Sequence, residues 1–439
     1  MVNPWRGLRG LPREVWILFT ATLVNRAGSM VLPFLVLYLT RELAFSAGLA
    51  GVVVLLYGAG ALIAAPISGA LSDLVGPVHV MRVSLLLSGV ILFLFLLADD
   101  APSVIAATFA LSVVTEAFRP ASMAMVGDLV TPEQRKTAFA VNRLAINLGM
   151  SVGPALGGYL ASFAFRSIFL VNGSCALAAG IILALSSFRR ARHRSASHEV
   201  TDAVAPGAHF AAHPSIRPVR SLLKAVGAPF ATLFSSGKRD HRLMWLLAGL
   251  FLLAIVFFQH ISSMPLFLVR DLGIREAQYG LLFTINTLLI VFLEVPINTG
   301  TAHWSHRRTL ALGTFLSAAG FGALAFAWDF WSAAATVVIW TFGEMFFFPG
   351  MAAYLTDIAP ENRRGEYMGL SQMTMGLAFM VGPWIGMQAL DSWGGRALWS
   401  LMFLCGLAAT FVMMRLPEVH PATAGTGLPS PTTAPSTEP

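Results

Sequence analysis

The sequence predicts an all-α integral membrane protein of twelve spanning helices, arranged as two similar six-helix halves. Three observations carry this expectation. Hydrophobic residues make up 56% of the 439 positions and charged residues only 12%, about half the roughly 25% usual in soluble proteins. That is more apolar surface than a water-soluble core can use. The apolar residues also fall into blocks of roughly 20, the length needed to cross a ~30 Å hydrocarbon layer at 1.5 Å per residue. Finally, short motifs of the first half return about 230 positions later.

In the first half the blocks place helices at 14–40, 47–71, 79–98, 102–128, 138–163 and 166–187. The first run follows Arg6, Arg9 and Arg13 and could be mistaken for a secretory signal. It continues through Asn25 and Arg26 to Tyr38 with no small-residue cleavage site, so it reads as a helix. Residues 188–241 are polar, with Arg189, Arg190, Arg192 and Arg194 leading a Ser, Ala, His and Pro mixture, and form a basic linker loop. It reads as a topology determinant and tether, and its basic cluster also suits anionic lipid. The second half gives helices at 242–268, 277–298, 308–327, 331–356, 366–389 and 394–415. The halves are thus 1–187 and 242–417, followed by a Pro-, Thr- and Ser-rich tail, 418–439, which cannot bury a core and is expected to be disordered.

Charge sets the orientation. The net charge of +7 does not imply nucleic acid, because Lys and Arg divide by membrane side. Alternate connections hold 22 on one side against 5 on the other, with Arg26 and Arg119 inside helices. The positive-inside rule then puts both termini in the cytoplasm, as an even number of crossings also requires. Cys175 and Cys405 both fall within predicted helices, which indicates neither a disulfide framework nor a zinc site.

The repeat is seen by aligning Glu116-Ala-Phe-Arg-Pro120 and Thr131-Pro132-Glu133-Gln134-Arg135 with Glu344-Met-Phe-Phe-Phe-Pro349 and Ala359-Pro360-Glu361-Asn362-Arg363, at an offset of 228. Val152-Gly153-Pro154 matches Val381-Gly382-Pro383 at 229, and Ala65-Pro66-Ile67 matches Val295-Pro296-Ile297 at 230. An even number of crossings separates the copies. They are therefore parallel repeats about an axis normal to the membrane, an arrangement found in secondary transporters.

Helix five carries Gly149, Gly153, Pro154, Gly157 and Gly158, glycines at fourfold spacing that strip one face so that another helix can approach closely. Here the sequence resembles the major facilitator superfamily, whose twelve-helix bacterial drug:proton antiporters carry this pattern in helix five. A second family element joins helices two and three. Gly69, Asp73 and Gly76 match it, whereas Leu74, Pro77 and Val78 stand where basic residues are usual. In the second half His303-Trp304-Ser305-His306-Arg307-Arg308 lacks the acid and retains two arginines. The resemblance implies the superfamily fold, with Asp73 at the cytoplasmic edge against the start of helix eleven and Asp128 as its neighbour, together latching the outward-open state. For Asp128 a solvated loop acid is the competing reading.

Arg26, Glu116 and Glu344 each lie roughly 18–20 Å along their helices, near the midplane. A charge at that depth costs at least ~2.5 kcal/mol and persists only when paired or wetted. Arg119 follows Glu116 by three residues on nearly the same helix face. The resemblance implies that helices one, four, seven and ten line a central cavity, placing these residues with Gln259 and His260 around the substrate path. Glu294 is a weaker candidate near the end of helix eight.

Burial favours a protonated carboxyl and a nearby arginine an ionised one, so a motion that separates the two moves a proton. Glu116 with Arg26 and Arg119 is the leading coupling candidate and Glu344 the second. A permanent ion pair fixing helices one and four is the alternative for the arginines, and a satisfied helix histidine the alternative for His260. The aromatic and methionine residues of the second half, Phe257, Phe258, Phe346, Phe347, Phe348 and Met373 among them, include packing and adaptable cavity-wall positions.

No phosphate-cradling loop, zinc motif or nucleophile elbow occurs, so no cofactor or metal and no enzyme activity is expected. The expectation is a monomer in a bacterial-type inner membrane, in contact with lipid, that exports an amphipathic small molecule in exchange for protons. Transport of a polar anionic metabolite, or sensing without turnover, are the alternatives.

Overall fold

In a computed structural model, residues 10–131, 134–188, 240–360 and 363–417 are described. Arg6, Arg9, Pro132, Glu133, Glu361, Asn362, the linker from 189 to 239 and the tail from 418 lie outside them. The described residues form helices and connecting turns, with no strand among them.

The first half holds α1 (Arg13–Ala27 and Val31–Arg41), α2 (Ala47–Val75), α3 (Pro77–Phe95), α4 (Ala101–Glu116 and Phe118–Leu129), α5 (Arg135–Ala161) and α6 (Phe165–Leu185). The second holds α7 (His241–Phe257, with a 3-10 turn Phe258–Ile261), α8 (Glu276–Gly300), α9 (His306–Ala323) and α10 (Phe330–Ile358). It ends in one run, Arg364–Met414, divided at Gly394. There φ is +78°, a conformation open to glycine and strained for other residues, which separates α11 (364–393) from α12 (395–414).

Caps and breaks follow local chemistry. Ser46 caps α2 by accepting from the Leu49 N–H, Ser305 caps α9 through the Arg308 N–H, and Asp329 with Ser332 forms a capping box on α10. Gly76, at φ +89°, turns α2 into α3, and Pro77 starts the next helix. Sequence periodicity predicts α1 and α4 unbroken, and the structure interrupts both. The α1 break at Gly28–Met30 frees amides that Asn172 of α6 satisfies, its Oδ1 accepting from Met30 N at 3.3 Å and Val31 N at 3.2 Å. In α4, Pro120 has no N–H to offer the Glu116 carbonyl, and Ser68 Oγ donates to the Ala117 carbonyl at 2.6 Å. Helix seven, expected to reach 268, turns irregular after Ile261 on its way to Asp271.

Gly10 and Pro417, the first and last described residues, lie on one face, called here the terminal face; the opposite one is the far face. On the far side a single apolar core joins both halves, with Phe34, Tyr38 and Phe169 of the first packed among Met264, Tyr279 and Leu282 of the second. On the terminal side the core divides in two. One cluster, around Leu18, Met125 and Val141, belongs to the first half, and the other, around Leu250, Tyr354 and Tyr367, to the second. The halves meet along two seams, α2 with α11 and α5 with α8. A Cβ on Gly58 would stand 2.9 Å from the Met380 N, and one on Gly158 would stand 3.0 Å from Ala277 Cα. Nearer the terminal face Gly69, Gly127, Gly300 and Gly369 have nothing within 4 Å of such a Cβ. The molecule is closed on the far side and parted on the terminal side.

Candidate functional site

Glu116 ends the first segment of α4, where the Pro120 break turns the helix. Tyr57 of α2 donates its hydroxyl to Glu116 Oε1 at 3.1 Å, and Ser112 Oγ donates to the Tyr57 carbonyl. Arg26 sits in the last turn before the α1 break, within electrostatic range of Glu116 and Arg119. Its Nε is buried without a hydrogen-bond partner. Arg119 is exposed. Among the described residues neither arginine is ion-paired with Glu116, whose hydrogen-bond partner is Tyr57.

The second carboxylate has the same kind of partner. Glu344 Oε2 accepts from Asn286 Nδ2 of α8 at 3.0 Å, and that nitrogen also reaches Thr341 Oγ1 at 2.9 Å. A small cavity beside Glu344 is lined by Ser317, Phe257, Phe347, Phe348 and Met375, among others. Glu294 lies in electrostatic range of Glu344 and is ion-paired with Arg143 of α5, across the seam between halves.

Aromatic rings connect the two carboxylates. Tyr57 meets Phe379 of α11 edge-on at 5.8 Å, Phe379 meets Phe258 at 4.8 Å, Phe258 meets Phe257 at 5.7 Å, and Phe257 meets Phe348 at 5.5 Å. His260 lies against this row, 4.8 Å from Phe257 and 6.2 Å from Trp340, with Nδ1 2.6 Å from the Phe257 carbonyl. The wall between Glu116 and Glu344 thus presents flat apolar surface with few polar points.

Gln259 takes a different place from its neighbour. It is fully buried, donating Nε2 to the Gly382 carbonyl at 2.8 Å and the Ile255 carbonyl at 2.9 Å, while Ser263 Oγ donates to its Oε1. That network braces α7 against α11.

The helix-five glycines divide between two neighbours. Gly149, Gly153 and Gly157 face α1 around its break; a Cβ on Gly153 would stand 2.9 Å from the Arg26 carbonyl oxygen and one on Gly157 2.6 Å from Met30 Cβ. Gly158 faces α8, where Gly280 returns the approach against Pro154. Asp73 and Asp128 are exposed at the parted terminal face, beside the open Gly69 and Gly127. In the second half Asp357, 229 positions after Asp128, is hydrogen-bonded to His306 Nε2 at 2.8 Å.

Sequence reasoning missed Tyr57, Asn286 and Arg143. A lone amide in the apolar run around Asn286 was the available signal, since a polar group at membrane depth needs a partner. Nothing comparable marks Tyr57.

Two six-helix halves of long apolar helices, with Glu116 and Glu344 among them, have the architecture of a multi-pass membrane transporter. The sequence matches the Major Facilitator Superfamily over residues 17–274 and again over 246–437, and the chain belongs to that family. It is similar to the uncharacterized MFS-type transporter YqjV of Bacillus subtilis, with 27% identity over 89% of this chain and 90% of that protein. A shorter stretch is 32% identical to the multidrug resistance protein MdtG of Proteus mirabilis, covering 35% of this chain and 40% of the relative. Among solved structures, the peptide transporter POT in complex with sulfate superposes with a TM-score of 0.73 at 17% identity, over 94% of this chain and 95% of that one. That likeness is one of fold.

Proposed function

We propose that this transporter exports amphipathic small molecules from the cytoplasm in exchange for protons, by alternating access. The observation that carries the reading is the symmetric pair of carboxyls, Glu116 and Glu344, each held by a neutral donor and joined by an aromatic wall. Neutral donors tolerate both the charged and the protonated acid, as a proton carrier requires, whereas a permanent ion pair would fix the charge. Flat aromatic surface binds apolar bodies of varied shape and leaves the carboxyls to meet a cationic group. The helix-five glycine pattern and the multidrug relative favour the same substrate class.

In this reading the terminal face is cytoplasmic, in keeping with the basic residues on that side. The described state then receives substrate from the cytoplasm. Glu116 and Glu344 take up and release protons, Arg26 and Arg119 are the switching partners of Glu116, and His260 shapes the wall. The latch role of Asp73 and Asp128 belongs to the opposite state, in which the terminal side closes.

A second reading, transport of a polar anion, rests on the unpartnered Nε of Arg26, which would donate to a carboxylate or phosphate. Proteoliposomes with an imposed proton gradient separate the two. Export of cationic and neutral amphiphiles should collapse in Glu116→Gln and Glu344→Gln. Gradient-independent flux that both variants preserve would defeat proton exchange, and anion flux lost in Arg26→Gln would establish the second reading.

A further inference from the structure

Tyr279, in the first turn of α8, is fully buried where the two halves meet on the far side. Its hydroxyl lies 3.3 Å from the Pro33 carbonyl of α1 and 3.0 Å from the His260 carbonyl of α7, so one proton is shared between acceptors on opposite halves. The His260 carbonyl is available because α7 leaves regular helix there; its 3-10 turn ends at Ile261. The ring is fixed edge-on by Phe34 at 5.3 Å and Phe283 at 5.4 Å. Toward the far surface the Arg41–Glu276 ion pair joins the same two halves, and Gly158 and Gly280 bring α5 and α8 to backbone contact beside it.

We propose that Tyr279 is the bolt of the far-side gate and a positioning residue for transport. Its hydroxyl holds α8 to α1 across the halves and to α7 within the second half, and opening of the far side requires the Pro33 contact to break. The same hydroxyl fixes the backbone of His260, coupling gate closure to the wall of the central site. Arg41 and Glu276 steer the helix ends together but are screened by solvent on the arginine side. The Tyr279 hydroxyl is buried and its cross-half bond is not screened by water, so the closed state depends on it more than on the ion pair, whose arginine is partly exposed.

The inference rests on the alternating-access reading, and its test needs no known substrate. Spin labels on Leu97→Cys and Trp328→Cys, exposed positions on far-side loops of the two halves, report gate separation by double electron–electron resonance in a Cys175→Ala, Cys405→Ala background of the full chain in nanodiscs. In Tyr279→Phe the ratio of wide to narrow far-side distances should rise about tenfold, the effect of losing one buried hydroxyl shared by two acceptors. Arg41→Gln should move it less, and Phe95→Leu, a truncation in the same far-side core that packs on Tyr38 and Phe169, should leave it near wild type. Should the phenylalanine variant fail to accumulate, Tyr279→His, which cannot reach both carbonyls, takes its place. An unchanged distribution in the Tyr279 variant, or an equal shift in Phe95→Leu, overturns the bolt. A shift in Tyr279→Phe supports it even if no compound is transported, whereas a wild type confined to one distance at every pH and ligand condition removes alternating access itself.

Discussion

Glu116 and Glu344 each accept a hydrogen bond from a neutral group on another helix, Tyr57 in one case and Asn286 in the other. Removing such a donor leaves a half-buried acceptor without its partner, at about 1–3 kcal/mol. Tyr57→Phe should therefore lower the rate of transport at least roughly fivefold, and Asn286→Ala should do the same through Glu344; flux in proteoliposomes checks both. Outside the membrane, Asp240 caps α7, accepting from the Arg242 and Leu243 amides and from the Tyr367 hydroxyl at 2.7 Å. Burial opposes its ionisation, but these bonds and the nearby Arg242 outweigh it and hold the carboxyl below its ordinary value. A depressed folded-state value contributes stability that is present above the unfolded value near ~3.9 and is lost as pH falls through the folded one. Thermal melts should show Asp240→Asn less stable than wild type at neutral pH, with the gap closing below about pH 4. The two central acids were legible as sequence because a carboxyl in an apolar run stands out. Their partners were not, because Tyr57 and Asn286 lie on other helices and their rotation about the helix axis is invisible to composition.

Among the elements, α5 has the most specific sequence, and its glycines meet backbone on two neighbouring helices. Gly149, Gly153 and Gly157 lie along the α1 break, so the spacing seen in sequence corresponds to a real stripped face, while Gly158 turns to α8 across the seam. A Cβ at position 153 would stand 2.9 Å from the Arg26 carbonyl oxygen and 3.0 Å from that of Ala27. Backbone atoms cannot swing aside as a side chain can, so α1 must move away. Gly153→Ala should lower stability by about 1–3 kcal/mol, read as a lower melting temperature in detergent, and should displace Arg26 enough to reduce transport. Gly69→Ala, with open space around it, should change stability little. The α1 break itself escaped prediction because its cause lies elsewhere in the chain. Asn172 of α6 receives the freed amides, and a side chain more than a hundred positions away leaves no trace in the local pattern.

At the scale of the whole molecule, one core on the far side and two on the terminal side describe halves joined by a shared core on one face only. The repeat and its parallel sense were readable from residue offsets, but which face is closed was not, since both states of a rocking molecule use the same helices and differ only in which seam is dry. The far seam can be tested by locking it. A Cβ on Gly51 of α2 would lie 3.1 Å from the Cβ of Met387 of α11, a few tenths of an ångström inside the usual ~3.5–4.5 Å range of a disulfide. In a Cys175→Ala, Cys405→Ala background, oxidising Gly51→Cys with Met387→Cys should join the halves with little displacement. Substrate should still bind from the terminal side, while net flux falls about tenfold or more, because a covalent bond exceeds any population shift that binding can drive. Reduction should restore flux in the same sample. Wild-type flux from fully cross-linked protein would mean that the α2–α11 seam stays shut throughout the cycle, and that the path to the far side opens elsewhere.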